Sequence, residues 1–284
     1  MPYTKKKYYL SKFKNKLFVV KIGGEAVASK KILKNILSDI KELFDMGIKI
    51  VLVHGGGAQA DAISGKLGHI PKKINGRRVT TKKDLEIVKM IYGGTLNLDI
   101  LSMFMKLGAK GIRVSGLDGS LLKVKLRDKK DVDYGYVGDI LSVNSEILHL
   151  LLEKKFLPVV SPLAATEDGI IVNINADTIA TELAIELKAE KLILLTKGSG
   201  IYDGNELISV LTANEALNLI KKKVVIDGML VKVENGIHAV KNGVKRFQII
   251  DGLSPHSLLK EVFTKKGVGT MIISDEGKSK YLKE

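Results

Sequence analysis

Six short apolar runs alternate with amphipathic stretches along the chain, and this alternation constrains the fold more than any other feature. Each run is aliphatic or β-branched and is bounded by turn residues, as buried strands are. Strands that alternate with helices predict an α/β fold, a three-layer α/β/α sandwich around a mainly parallel open sheet. The predicted strands are LFVVKI (17–22), IKIVLV (48–53), KGIRV (110–114), FLPVV (156–160), KLILLT (191–196) and RFQII (246–250).

The predicted helices fall between these strands, and two further segments have the pattern of hairpins. The hairpins are expected at 72–80, with a turn at Asn75-Gly76, and at 121–140. We expect one domain over residues 1–284, with a first lobe of about 1–190 that includes a basic extension (1–16) and a second lobe of about 191–284. The helical spacing predicts helices at 29–46, 58–67, 82–106, 144–154, 176–187, 213–222, 230–241 and 256–263.

Three of the predicted strands end in glycine-rich turns. These are Gly23-Gly24, the triplet 55–57 in VHGGGAQADAI, and the segment 197–202, which contains two glycines. Ligands of such sheets bind beyond the carboxyl ends of the strands, and a glycine turn that opens a helix can hold an anion with its N–H groups. The patterns GxxxxGK[ST] and GxGxxG are absent, which excludes a Walker-type phosphate loop and a dinucleotide fingerprint.

Three charged residues lie in a buried strand, at the start of a helix or on an otherwise apolar helix, where a charge needs an explanation. Lys21 is inside a strand expected to be buried, and burying an unpaired lysine is costly. Asp177 begins a helix, where it could simply be a first-turn acid, and Lys232 lies on an otherwise apolar helix, where it could extend its ammonium group to solvent. The residues alone leave these structural explanations open.

Composition narrows the classes of function. The formal net charge is +15, yet the lysines are dispersed and aromatic residues are only 5%, so a nucleic-acid surface is disfavoured. There is no cysteine, and no apolar stretch reaches the ~20 residues of a membrane span. We therefore expect a cytoplasmic protein without a membrane partner, with a plastid location as the alternative.

Six motifs together are more specific than any one of them. In chain order they are KIGG, VHGGG, GRRVT, NINADT, LLTKGSGIYDG and DGMLVKV, and they span roughly residues 10–273. This series resembles the amino acid kinase family, and most closely its branch that phosphorylates the γ-carboxylate of N-acetyl-L-glutamate in arginine biosynthesis. The resemblance implies ATP and Mg²⁺ as cofactors, N-acetyl-L-glutamate as substrate and an acyl phosphate as product.

The resemblance also assigns site residues. Lys21 and Lys232 match the two lysines that bind the transferring phosphoryl group, and Asp177 matches the aspartate that orients them. The substrate-binding set is Gly56, Gly57, Arg78 and Asn173, with Arg78 matching the arginine that pairs with the α-carboxylate. The nucleotide-binding set is Gly23, Gly24, Lys197, Gly198, Gly200, Ile201, Tyr202, Val224, Val225 and Ile226. No protein metal ligand is assigned, because magnesium is expected to arrive with the nucleotide.

One residue departs from the family pattern, and two other functions stay open. Lys197 stands where the family usually has an acidic residue near the nucleotide. The segment GLDG (116–119) is similar to kinases of lysine biosynthesis that act on acylated aminoadipate, a substrate one methylene longer. A non-catalytic protein on this fold, basic and binding nucleic acid or regulating a partner, is the other alternative.

The resemblance extends to regulation and assembly. Tyr9, His256, Glu261 and Gly267 match positions of the arginine-inhibited, hexameric branch. An acid and several carbonyls suit a guanidinium ligand. The N-terminal extension is shorter than in that branch, so we expect a homodimer that forms through the central sheet, with a hexamer as the alternative.

Overall fold

A central sheet of eight strands organises the structure, a computed structural model that describes residues 9, 11–74, 77–264 and 267–278. The described strands are β1 (Leu17–Ile22), β2 (Lys49–His54), β3 (Lys73–Ile74), β4 (Arg77–Arg78), β5 (Gly111–Val114), β6 (Leu122–Leu126), β7 (Gly138–Val143), β8 (Leu157–Val160), β9 (Leu163–Ala165), β10 (Ile171–Asn173), β11 (Lys191–Thr196), β12 (Tyr202–Asp203), β13 (Glu206–Leu207), β14 (Val210–Thr212), β15 (Arg246–Asp251) and β16 (Thr270–Ile273). The sheet order is β14-β16-β15-β11-β1-β2-β8-β5.

Helices cover both faces of this sheet. A π-helical segment, Lys89–Thr95, and a short 3₁₀ turn, Asp118–Ser120, complete the helical elements of the described residues. The α-helices are α1 (Gly24–Ala28), α2 (Lys30–Asp45), α3 (Gly57–Lys66), α4 (Lys82–Val88), α5 (Leu96–Lys106), α6 (Glu146–Glu153), α7 (Ala176–Glu186), α8 (Ala213–Lys221), α9 (Asp227–Lys241) and α10 (Ser257–Phe263).

The sheet separates two apolar cores, because successive side chains of a strand point to opposite faces. On β1, Val19 packs into one core, whereas Phe18 and Val20 pack into the other. The sheet pairings are parallel except for the antiparallel pair β15–β16. The three-layer α/β/α class with a mainly parallel sheet is therefore confirmed.

Most of the predicted elements are present, and the structure differs from the prediction in several places. The helix predicted at 82–106 is interrupted by the π-helical segment, and α1 follows the first glycine pair where no helix was predicted. Strands β14 and β16 were also missed, as were the two short antiparallel pairs β9–β10 and β12–β13. Both predicted hairpins form as antiparallel pairs, β3–β4 and β6–β7, although the turn at Asn75-Gly76 lies outside the described residues.

Most of the basic extension (1–16) also lies outside the described residues. The proposed boundary near residue 190 falls just before β11, which pairs in parallel with β1 of the first lobe. The two lobes thus share one continuous sheet. No helix in the described ranges combines the length and the apolar character that crossing a membrane requires.

Candidate active site

Two of the glycine turns meet at the carboxyl edge of the sheet. An added Cβ at Gly24 would lie 3.2 Å from the amide nitrogen of Gly57 and 3.3 Å from that of Ala58. Gly24 begins α1 and Gly57 begins α3, so two helix N-termini adjoin at this point. A side chain at Gly24 would be crowded against the second backbone, so glycine favours this close approach, which brings several amide groups to one place.

Lys21, Asp177 and Lys232 form an ion cluster beside these turns. Lys21 Nζ lies 2.6 Å from Asp177 Oδ1, and Lys232 Nζ lies 3.3 Å from Asp177 Oδ2. Lys21 and Asp177 are only 7% and 5% exposed. The structure thus brings together three residues that are far apart in the chain, two of them with ordinary structural explanations when taken singly.

Asp177 is held in place by the start of α7. Asn175 caps this helix, and its side-chain oxygen accepts hydrogen bonds from the backbone N–H groups of Asp177 and Thr178. Burial raises the pKa of Asp177, but the two lysines lower it by more, so the pKa lies below its ordinary value. The carboxylate therefore stays ionised at neutral pH and fixes two ammonium groups on either side of it.

A cavity of about 250 Å³ opens beside this cluster. Within the described part of the chain, its lining carries five cationic side chains and a single carboxylate, that of Asp177. Such an excess of positive charge in a confined space favours an anionic ligand. The lining residues are Lys21, Gly24, Gly55, Gly56, Gly57, Lys73, Arg77, Arg78, Tyr92, Arg127, Val137, Pro162, Asn173, Ile174, Asn175, Ala176 and Asp177.

Arg78 is fixed on the opposite wall of the site by acidic neighbours. Its Nη2 donates to Asp61 Oδ1 and, at 3.3 Å, to the carbonyl oxygen of Gly57. Its Nη1 lies 3.5 Å from Asp84 Oδ1, a longer contact that leaves this nitrogen without a hydrogen bond. The side chain is only 7% exposed. A guanidinium group that is oriented in this way retains donors for a planar anion such as a carboxylate.

Asn173 and two of the glycines complete the predicted substrate set. Asn173 ends β10, and its amide donates to Thr80 Oγ1 at 3.2 Å. Gly56 packs against the ring of Tyr92, so that a Cβ there would lie 2.7 Å from a ring carbon. Gly57, by contrast, faces open space, with no heavy atom within 4 Å of an added Cβ. All four predicted substrate residues line the cavity.

Sequence reasoning did not identify several residues of this site. Tyr92 lies in the π-helical segment, and burial raises its pKa to about 12 despite the nearby positive charge of Arg78. Arg127 lines the cavity and is held by Asp139 through Nε at 2.9 Å. Asp61 lies on a helix of weak amphipathic pattern, so nothing local in the sequence marks it. The interruption of an otherwise regular helix at 89–95 is a signal of the kind that often accompanies functional sites.

His54, which directly precedes the glycine triplet, is fully buried. Burial lowers its pKa to about 4, although its hydrogen bond to the carbonyl oxygen of Gly55 raises it. At neutral pH the ring is uncharged, and Nδ1 donates to that carbonyl at 2.9 Å. This histidine therefore braces the turn and is not placed for proton transfer in the cavity.

The predicted nucleotide residues divide into two groups. Ile201 and Val225 are core residues, at 2% and 4% exposure, so their side chains are turned away from solvent. Lys197, Gly198, Tyr202, Val224 and Ile226 are exposed. The amide of Gly23 donates to the carbonyl of Leu195 at 3.0 Å, so Gly24, which lines the cavity, is the better placed phosphate donor. Gly200 is the turn residue before Ile201, whose N–H donates to Thr270 Oγ1 at 2.8 Å.

None of the predicted effector residues is among those that line the cavity. Glu261 is 6% exposed and accepts hydrogen bonds from the side chain of Gln248 at 2.5 Å and from the amide of Val268 at 2.7 Å. Gly267 has a φ of +66° and lies so close to Glu261 that a Cβ would be 2.7 Å from its carboxylate.

Tyr9 and His256 are held near this acid by separate contacts. The Tyr9 ring packs on Phe13 and Phe263, with ring centroids 6.3 and 6.1 Å away. His256 donates to Asp39 at 2.7 Å. Glu261 and Gly267 are therefore close neighbours, whereas the contacts described for Tyr9 and His256 are with other residues.

Comparisons with known proteins find similar sequences along most of the chain. The model of the amino acid kinase family matches residues 16–251. The chain is 42% identical to an acetylglutamate kinase of Archaeoglobus fulgidus over 276 residues, covering 93% of this chain and 95% of that protein. It is 40% identical to an acetylglutamate kinase of Aquifex aeolicus over 279 residues, covering 93% and 94%.

A solved structure is also similar over nearly the whole chain. It is N-acetylglutamate synthase from Neisseria gonorrhoeae, complexed with coenzyme A and N-acetyl-glutamate, with a TM-score of 0.88 and 25% identity. The match covers 96% of this chain but 63% of the synthase, so this chain spans less than two thirds of it. The same synthase complexed with coenzyme A and L-arginine matches with a TM-score of 0.84 and 26% identity, covering 96% and 65%.

Proposed function

Because the chain belongs to the amino acid kinase family, we propose that it transfers the γ-phosphoryl group of ATP to the γ-carboxylate of N-acetyl-L-glutamate, a step of arginine biosynthesis. The observation that carries this proposal is the similarity to acetylglutamate kinases along 93% of the chain. The charged cavity at the carboxyl edge of the sheet supports it, because substrate and phosphoryl group are both anions.

The proposed reaction requires charge neutralisation more than proton transfer. The accepting carboxylate is ionised at neutral pH, so no general base is needed. A transferring phosphoryl group carries negative charge on its oxygens, and Lys21 and Lys232 supply positive charge on both sides of Asp177. Asp177 acts in this scheme by holding the two ammonium groups apart in a fixed geometry.

The substrate would lie between the triplet 55–57 and Arg78. In this arrangement Arg78 pairs with the α-carboxylate and Asn173 binds the acylated amino group, while Gly56 and Gly57 let the backbone contact the substrate. The γ-carboxylate then faces Lys21. This arrangement positions the two reacting anions, which is the larger part of catalysis in phosphoryl transfer.

The nucleotide would extend from Gly24 toward the second lobe. Its base and ribose are proposed to contact the exposed members of the predicted set, among them Tyr202 and Ile226. Magnesium fits the site as an ion held by the nucleotide's phosphates, since no group of three or more His, Cys, Asp or Glu side chains in the described residues is arranged to hold a metal. Lys197 replaces the usual acid and is proposed to contact a phosphate or the ribose.

The decisive experiment is trapping of the acyl phosphate with hydroxylamine. The purified protein, ATP and magnesium are supplied with N-acetyl-L-glutamate or with N-acetyl-L-aminoadipate. We expect the hydroxamate to form rapidly with acetylglutamate. Turnover of the aminoadipate compound alone would move the protein to lysine biosynthesis, and steep salt-dependent binding of DNA or RNA without turnover would favour the non-catalytic alternative.

Feedback inhibition by arginine is a second proposal, favoured by the buried acid Glu261. A guanidinium ligand would find there a carboxylate and the rings of Tyr9 and Phe263. The synthase bound to L-arginine is similar over 96% of this chain. Millimolar arginine should lower the rate of hydroxamate formation, and an unchanged rate would reject regulation at this site.

Assembly and location are proposed more coarsely. Strand β5 is an edge of the sheet, and α5 beside it exposes Leu98 and Met105 by 54% and 76%. Two copies that pair here would extend the sheet and cover these side chains, so we propose a homodimer. Light scattering should give twice the chain mass of 31.0 kDa, whereas six times this mass would indicate the hexameric branch.

A cytoplasmic location is retained as a proposal, in line with the archaeal and bacterial relatives.

A further inference from the structure

Asp61 bridges two elements of the cavity. It lies on α3, one turn after Gly57, and its carboxylate is about one third exposed. One oxygen accepts a hydrogen bond from Lys73 Nζ at 2.7 Å, and the other accepts from Arg78 Nη2. Lys73 is on β3 and Arg78 on β4, so a single carboxylate joins both strands of the hairpin to the helix that begins at the glycine triplet.

The hairpin needs such a connection. Its strands have two residues each and, among the described residues, pair only with each other. A two-stranded ribbon of this size is not stable alone in water. Its other ties include the bond from Arg78 to the carbonyl of Gly57 at 3.3 Å, the amide of Thr80 to the carbonyl of Tyr134 at 2.8 Å and a longer bond from the Tyr134 hydroxyl to the carbonyl of Ile74 at 3.5 Å.

The hairpin also concentrates positive charge. It brings Lys73, Arg77 and Arg78 to the lining of the cavity. Like charges at this separation repel, and the carboxylate of Asp61 lies between two of them. Asp84, which is 1% exposed, contacts Arg78 only at 3.5 Å and also pairs with His69 at 2.9 Å. Asp61 is therefore the closer of the two acids that orient Arg78.

We infer that Asp61 is a positioning residue, which ties the β3–β4 hairpin to α3 and orients Arg78 for the α-carboxylate of the substrate. This inference rests on the proposed function, because it assumes that an acylated amino acid is the ligand of Arg78. Asp61 acts through Arg78 and does not contact the substrate. In the opposite role, Asp61 would compete with the substrate for Arg78 until the substrate displaces it. Removing the Asp61 charge should raise KM if Asp61 positions Arg78 and lower KM if it competes.

The test is the steady-state kinetics of Asp61→Asn, which replaces one carboxylate oxygen by an amide nitrogen. We expect KM for acetylglutamate to rise about tenfold, the size of a lost hydrogen bond to a charged group, while kcat and KM for ATP change by less than about twofold. Asp61→Glu should recover part of the loss. An unchanged or lowered KM for acetylglutamate would overturn the inference, the lowered value in favour of competition.

The matched control is Asp45→Asn. Asp45 pairs with Lys41 at 2.5 Å on the exposed side of α2, so this variant makes the same chemical change to a surface ion pair outside the cavity. Its KM values should equal those of the unmodified protein. A tenfold rise in this variant as well would show that the effect of Asp61→Asn is one of overall charge, and would also overturn the inference.

Hydrogen exchange separates this inference from the proposed function. The amide of Val79 donates to the carbonyl of Lys72 at 2.9 Å across the hairpin. Without substrate, it should exchange faster in Asp61→Asn than in the unmodified protein and Asp45→Asn. If the unmodified protein does not turn over acetylglutamate, the proposed function fails. The exchange rate of the Val79 amide then decides by itself whether Asp61 ties the hairpin to α3. Equal exchange rates in the three proteins would reject that role of Asp61.

Discussion

Two buried lysines on neighbouring strands have opposite surroundings. Lys21 is near the carboxyl end of β1, and Lys191 is the first residue of β11, at the other end of the sheet. They are 7% and 4% exposed. In the register of the two strands, Lys21 is opposite Leu194 and Lys191 is opposite Phe18, so the two lysines also lie on opposite faces.

The difference lies in their partners. Lys21 is 2.6 Å from a carboxylate and lines the cavity. Lys191 donates to the neutral side chain of Gln248 at 3.2 Å and lies 5.0 and 5.9 Å from the ring centroids of Phe13 and Phe18. Burial lowers the pKa of Lys191 to about 8, although Glu261 raises it. Burial alone therefore does not distinguish the two lysines; the ionised partner and the cavity beside Lys21 do, and they support the catalytic role proposed for it.

Among the tests of this comparison, Lys21→Met is expected to have the largest effect. Removing one of two cations that face the phosphoryl group should lower kcat by about 10²–10³-fold, the usual loss when one electrostatic stabiliser is removed. The hydroxamate assay measures this directly. Lys41→Met is the control, because Lys41 also pairs with an aspartate but on the outside of α2, and its rate should be unchanged. A Lys21→Met enzyme that keeps a tenth of its rate would contradict the assigned role.

Asp177→Asn is expected to have the next largest effect. The amide keeps the shape of the side chain but leaves Lys21 and Lys232 without the charge that holds them. We expect kcat to fall by about 10²-fold with KM for acetylglutamate nearly unchanged, because the lysines act on the transition state. Thermal unfolding checks that the variant is folded. A raised KM at full kcat would instead make Asp177 a substrate-binding residue.

A smaller effect is expected at Lys191, and only at alkaline pH. The pKa of Lys191 is about 8 in the folded protein and close to 10.5 when unfolded. Between these values the unfolded chain binds more protons, so the free energy of unfolding should rise with pH, by about 1–3 kcal/mol in total. Burial is the largest cause of this shift; the charges of Glu261 and Glu190 raise the pKa of Lys191, and those of Arg246 and Lys12 lower it.

Urea unfolding at pH 7 to 10.5 measures this gain. Lys191→Met lacks the titrating group, so its free energy of unfolding should lack the increase that the unmodified protein shows. The difference between the two proteins cancels the exposed lysines, which titrate in both. Parallel curves would mean that Lys191 has an ordinary pKa, and the contrast with Lys21 would then be lost.

The sequence was informative where a local pattern has a physical cause. The strands could be predicted because β1 and β11 are continuous apolar runs, and Lys21 stood out because a charge inside such a run is costly. The π-helical segment could not be predicted, because its apolar residues continue the spacing of the flanking helices. Strand β14, with three residues, is too short to stand out from a loop.

The site was predictable only in part for a related reason. Asp177 and Lys232 were found only through a family resemblance, since each of these two has an ordinary structural explanation alone. Asp61 has no such signal, because its meaning depends on a hairpin that reaches α3 only in the folded chain. Arg127 is similar, because it enters the cavity from a second hairpin. The roles of Asp61 and Arg127 therefore follow from contacts between elements, and no sequence pattern within one element indicates them.

The smallest expected effect is that of Gly57→Ala, which tests whether the glycine triplet serves the substrate or the nucleotide. The added methyl group meets no protein atom within 4 Å, so the free protein should accept it. It would project into the space proposed for the acyl amino acid. We expect KM for acetylglutamate to rise about tenfold, the effect of one misplaced methyl group, with KM for ATP changed much less.

Gly65→Ala is the matched control, because Gly65 lies in the same helix and an added Cβ there also meets nothing within 4 Å. This variant should raise the free energy of unfolding by up to about 1 kcal/mol, since alanine favours a helix over glycine, and leave both KM values alone. A rise in KM for ATP rather than for acetylglutamate in Gly57→Ala would assign the triplet to the phosphates. The carboxyl edge near Lys21 would then hold the nucleotide on both glycine turns, and the substrate would depend on Arg78 and Asn173 alone.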